Sequence, residues 1–89
     1  MTKYADDYFR EYIERFKNYS DLDVVAAFNR EVGKPGWGTA RSGYLAAIRH
    51  EFDRREIDIS SISKDNAISY RRKVSLYILG EKKIVVPVL

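Results

Sequence analysis

The chain reads as an α+β fold: three helices followed by a C-terminal two-stranded antiparallel hairpin. Three observations predict it. Apolar residues recur at spacings of three and four over separate stretches of the first 55 positions. After Arg55 the period shortens to two, the mark of half-buried strands. Glycine, proline and short polar residues punctuate the changes of pattern. At 89 residues the chain suffices for one compact domain and is too short for two, so residues 1–89 are read as a single domain.

The first helix is expected over Lys3–Tyr19. Ala5, Phe9, Tyr12, Ile13, Phe16 and Tyr19 fall on one face, and Asp6 and Asp7 sit in the first turn, where the helix dipole favours acids. Ser20 and Asp21 are N-cap types for a second helix with the stripe Leu22, Val25, Phe28 and Val32. Gly33 stops it and Pro35 prevents its continuation. Thr39 is expected to cap a third helix reaching Arg55, with Leu45, Ile48 and Phe52 inward and Tyr44 on the flank. Ile57, Ile59 and the Ser60-Ser61 pair suggest a short extended piece, and Lys64, Asp65 and Asn66 a turn. From Ile68 to Ile78 apolar and polar residues alternate, with Arg72 interrupting the apolar face. "GEKK", Gly80 to Lys83, reads as a four-residue turn, and Ile84–Leu89 as the returning strand. Pro87 cannot donate to a ladder, so that strand is expected to lie at an edge or to end there.

Composition narrows the function classes. The chain has no cysteine, which excludes disulfide frameworks and thiolate metal sites and fits a reducing cytoplasm. The N-terminal stretch carries charges every few residues and does not resemble a signal peptide. The longest apolar run, Ile84 to Leu89, is far below the roughly 20 residues of a membrane helix. Net charge is +3 but unevenly placed. Residues 1–33 hold 5 Lys/Arg against 7 Asp/Glu, a balance of −2, and residues 34–89 hold 11 against 6, a balance of +5. A basic half of this kind marks a face for nucleic acid or another acidic partner.

The basic half opens on "GKPGWGTARSGY", a glycine-rich loop before a helix. Free amides at a helix N-terminus attract anions. The spacing is neither that of a P-loop nor of a dinucleotide fingerprint, since no Gly-Lys-Ser/Thr opens the helix and no strand precedes it. The alternative is a C-cap glycine, a turn and an N-cap, with Trp37 folded over the core. Two helices around such a loop also have the outline of a helix-turn-helix, although the loop is longer than the compact motif has. The outward positions of the third helix would then be Ser42, Gly43, Ala46, Arg49, His50 and Asp53, with Arg41 at its start. Arg41 and Arg49 suit guanine edges, and Ser42 a phosphate or base. Gly43, Ala46 and Ala47 serve close helix packing equally well.

Three helices and then a hairpin resemble the element order of a winged-helix domain. That resemblance is one of architecture and implies DNA binding, with a wing that touches phosphates. The wing tip would supply Lys82 and Lys83, and the outward strand face Arg71 and Lys73. Lysines at a hairpin tip also guard against strand pairing. The expected partner is therefore duplex DNA, bound through helix 39–55 and tip 80–83 by Arg41, Ser42, Arg49, Arg71, Lys73, Lys82 and Lys83. The competing reading is a protein-interaction or dimeric adaptor using the tyrosines of the first helix, Tyr4, Tyr8 and Tyr12, which would have to form an exposed apolar patch. Nothing points to catalysis, a metal or a cofactor. His50 is the lone histidine, no second one stands four residues on, and Glu51 and Asp53 diverge on a helix.

Overall fold

A computed structural model describes residues 3–36, 38–65 and 67–89. Trp37, expected to close over the core, and Asn66 of the expected turn lie outside the described residues. The described chain is α+β: α1 (Ala5–Phe16), α2 (Asp21–Glu31) and α3 (Thr39–Arg54), then β1 (Ile57–Asp58), β2 (Ser63–Lys64), β3 (Ala67–Ile68), β4 (Val74–Leu79) and β5 (Lys82–Pro87). Among the described residues no helix is long and apolar enough to cross a membrane.

Local chemistry sets the helix ends. Ser20 caps α2 by accepting from the Asp23 amide at 3.1 Å, while the Asp23 carboxylate accepts from the Ser20 amide at 3.1 Å. This is a capping box with aspartate as the reciprocal acceptor. Gly33, at φ 77°, follows the end of α2 in the left-handed region that glycine tolerates. At α3 the N-cap is Gly38 rather than Thr39, which is already helical, so no side-chain oxygen caps this helix.

The buried apolar side chains form one cluster. α1 gives Phe16, α2 gives Val24, Val25, Ala27 and Phe28, and α3 gives Leu45, Ala47, Ile48 and Phe52. Ile57, Ile62, Val74 and Val85 close it from the strand side. The stripe of α2 is turned from the expected one: Val24 is buried, and Leu22 is 67% exposed. α1 packs along α3. Gly43 lies against Ala5, Tyr8 and Phe9, and Arg55 donates to the Phe16 and Tyr19 carbonyls, so the two helices run in the same direction. A Cβ on Gly43 would stand 2.6 Å from the Tyr8 Cβ and 2.7 Å from the Ala5 carbonyl oxygen. Gly43 is therefore a helix-crossing residue and not an outward one.

The strands depart from a lone hairpin in three ways. β2 and β3 form a small antiparallel hairpin of their own, with Asp65 at φ 52° in its turn. The expected continuous strand from Ile68 is broken, because the chain bends at Arg71 and Arg72 between β3 and β4. That bend accounts for the charge that interrupts the alternation. And β1 pairs in parallel with β5, giving the sheet order β1-β5-β4.

β5 is thus central rather than an edge, and it ends at Pro87. The turn is also tighter than four residues. Leu79 pairs with Lys82, so Gly80 (φ 64°) and Glu81 alone make it, and both lysines already lie on the strand. Val88 donates to the Lys73 carbonyl at 2.8 Å, which fixes the parity of the ladder. Val74, opposite Pro87, is then a non-hydrogen-bonded pair, and the N–H that Pro87 lacks would have pointed away from β4. Two side chains finish the ladder. Asn29 of α2 accepts from the Val74 amide at 2.8 Å and donates to its carbonyl at 3.0 Å. Ser61 donates to the Val85 carbonyl at 2.6 Å, beyond the end of β1.

Candidate functional site

The bend at Arg71 and the first half of α3 face each other across an open groove of about 490 Å³. Leu45, Ala46, Ile68 and Tyr70 give it an apolar lining, and Lys34, Arg41, Arg49 and Arg71 bring four cations to it. The sequence puts them there by simple means. Ala46 and Arg49 are three apart on α3; Ser42, Ala46 and Asp53 are exposed at helical spacing, and Arg49 beside them is half-buried. Arg71, Arg72 and Lys73 follow one another through the bend, and all three are exposed.

Arg41 is built into the wall of this groove. Its Nε donates to Glu31 Oε1 at 3.3 Å, its Nη1 to the Gly36 carbonyl at 2.7 Å and its Nη2 to the Glu31 carbonyl at 3.3 Å. Lys34 donates to the other Glu31 oxygen at 3.0 Å. Glu31 is buried, and this pairing compensates its loss of water. The opposite wall is tied to the same loop, because the Gly33 amide donates to the Tyr70 carbonyl at 3.2 Å. Tyr70 stacks on Phe28 with ring centres 4.5 Å apart. Its hydroxyl is buried and has no hydrogen-bond partner among the described residues, and burial pushes its pKa well above the usual phenol range.

The expected binding residues separate into two places. Arg41, Arg49 and Arg71 line the groove, Ser42 is exposed on the adjoining stripe, and Lys73 is exposed beyond the bend. The hairpin tip is elsewhere. Lys82 and Lys83 line a different depression that shares no residue with the groove and holds Glu56, Asp58 and Glu81. Lys83 reaches Asp21 Oδ2 at 2.8 Å, and Arg55 Nη1 donates to Asp21 Oδ1 at 2.9 Å. The bonds from Lys83 and then Arg55 hold the Asp21 carboxyl below its ordinary range.

Sequence reasoning missed Lys34, Tyr70 and Arg72 as part of the basic face. Arg72 carried a signal, since a charge on an apolar strand face marks a break in that strand.

The tyrosines of α1 do not make one patch. Tyr4 is 69% exposed, but Tyr8 lies half-buried under the Lys3 ammonium at 4.6 Å. Tyr12 packs edge-on against Tyr44 at 4.7 Å. The acids and the histidine of α3 also part company. His50 meets the Phe9 ring at 5.6 Å, Glu51 is buried and Asp53 is exposed. Among the described residues no group of three or more acidic or histidine side chains is placed to hold a metal ion.

Compared with protein-family models, curated proteins and solved structures, the chain shows no match to any of them.

Proposed function

We propose that this domain binds nucleic acid, with duplex DNA as the ligand, along the groove between α3 and the Arg71 bend. The observation that carries the reading is the meeting of Lys34, Arg41, Arg49 and Arg71 in one groove, continued by Arg72 and Lys73. A row of cations on an open surface suits a phosphate backbone, whose contacts supply affinity without reading sequence. Two further features support it. α3 begins with no acidic residue in its first turn and no side-chain cap, which leaves its N-terminal amides to an anion. Its exposed positions Ser42 and Ala46 carry short side chains, which let a backbone come close to the helix beside the half-buried Arg49. A cysteine-free DNA-binding chain suits the reducing cytoplasm.

The hairpin tip has no part in this interface. It lines a separate depression together with Glu56, Asp58 and Glu81, and Lys83 pairs with Asp21. Titration of a labelled duplex at low salt tests the reading. Log affinity falls linearly with log salt, with a slope near −0.9 per phosphate contacted. Arg71→Ala with Arg72→Ala flattens the slope by about one to two units and weakens all sequences alike, whereas Lys82→Ala leaves it unchanged. Arg49→Ala narrows the preference between sequences by roughly 1–3 kcal/mol where it meets a base. Absence of binding at near-millimolar protein in low salt refutes the proposal.

A further inference from the structure

β4 is an edge strand whose outer half, beyond Val74, carries no charge, proline or bulge. Its sequence, VSLYIL, contains no charge, proline or glycine, and burial fades along it from Val74 outward. Tyr77, Ile78 and Leu79 are all exposed. The ladder parity set by the bond from Val88 to Lys73 shows which backbone groups face outward. They are those of Val74, Leu76 and Ile78. Asn29 satisfies both groups of Val74. Among the described residues nothing pairs with the outward groups of Leu76 and Ile78.

We propose that this edge pairs with the same edge of a second copy of the chain, antiparallel about a two-fold axis through Tyr77. One register uses every unpaired group. With Leu76 opposite Ile78 of the second copy, and Ile78 opposite its Leu76, four backbone hydrogen bonds form. A slip of the axis by one residue either way leaves one such dyad and two bonds. The favoured register also sets Gly80 of the second copy opposite Val74, so the incoming strand turns away where Asn29 already occupies the edge. The turn of the second copy then brings its Glu81 near Lys73, which precedes the strand, and both side chains are exposed. The charges at the two ends of the strand are therefore complementary under the two-fold, and the neutral stretch lies between them. Strand addition of this kind draws affinity from main-chain bonds and specificity from the side chains beside them. The product is a continuous six-stranded sheet, with Leu76 and Ile78 side by side on one face and the two Tyr77 rings paired on the other.

The chain's lack of cysteine makes the test clean. In the proposed register the two copies of residue 77 form a non-hydrogen-bonded pair with Cα atoms about 4.5 Å apart, inside the range that a disulfide spans. Residue 75 stands opposite residue 79 of the second copy, so two copies of residue 75 are about 14 Å apart, as are two copies of residue 79. Under mild oxidation Tyr77→Cys gives a covalent dimer, and Ser75→Cys and Leu79→Cys do not. Equal cross-linking at all three positions, or none at 77, overturns the proposal. Ile78→Pro removes one outward N–H and no bond of the β4–β5 ladder. Sedimentation of the unmodified chain up to about 1 mM shows a monomer–dimer equilibrium, the range expected of a small interface, and Ile78→Pro weakens it at least roughly tenfold with its thermal melt retained. A chain that stays monomeric over that range refutes the pairing.

Discussion

Gly43 shows how one missing side chain fixes the approach of two helices. In an exposed helix interior, exchange of glycine for alanine stabilises by roughly 0.5–1 kcal/mol, because the unfolded chain loses freedom. Here the added methyl meets the Tyr8 Cβ, the Ala5 carbonyl and the Phe9 amide, all within 2.8 Å. Two of the three are backbone and cannot rotate away, so α1 must separate from α3. Overpacking of this kind costs about 1–3 kcal/mol, which exceeds the propensity gain. Gly43→Ala is therefore expected to lower the midpoint of a urea melt, and a raised midpoint would mean that α1 does not pack there. Tyr70 is the opposite case at the same scale, a buried hydroxyl that finds no partner among the described residues.

At the scale of elements, apolar period says which face of a helix or strand is apolar, but not whether anything covers it. Ile48 and Ile78 illustrate the difference. Periodicity puts each of them on the apolar face of its element. Ile48 is fully buried in the core cluster, whereas Ile78 is 66% exposed, in the half of β4 where burial has faded. Ile48→Ala should destabilise by about 2–5 kcal/mol in denaturant melts, the range of a large-to-small change in a core. Ile78→Ala should change the stability of the monomer by less than about 0.5 kcal/mol, as exposed substitutions do. The three helices and the β4–β5 hairpin were legible because each carries several turns or pairs of consistent pattern. β2 and β3 were not, since two-residue strands carry no period. The site was legible in part for a related reason. Arg41, Arg49 and Arg71 were readable as cations, but the acids that engage Arg41 and Lys83 lie elsewhere in the chain, and only the fold brings Glu31 and Asp21 to them.

On the scale of the whole molecule, charge joins the helical half to the sheet. Arg55 donates to the Phe16 and Tyr19 carbonyls and to Asp21, and Lys83 of β5 completes the cluster. Glu51, 1% exposed, takes two bonds from Arg54 Nε and one from its Nη2. Burial by itself would push the Glu51 carboxyl up, but the Arg54 and Arg55 guanidiniums outweigh it and hold the pKa below the ordinary 4.5. Asp21 is lowered in the same sense from 3.8. Unfolded carboxylates therefore bind protons more readily than these do, and folding draws stability from both acids above their ordinary values. That stability is lost as pH falls from about 4.5 through the lowered native pKa values. Urea melts at pH 7 and pH 3 should show the decline, and Glu51→Gln should reduce its size; an unchanged pH dependence in that variant would place the acid sensitivity elsewhere. The glycine-rich loop acts at this scale as well. Through the Gly33 amide it holds the Tyr70 carbonyl, and through the Gly36 carbonyl it holds Arg41. The two walls of the groove are thereby pinned to one short piece of main chain. The gap between them is fixed before any ligand arrives, so the conformational entropy of shaping the groove belongs to folding, and an incoming polyanion meets a surface already ordered to receive it.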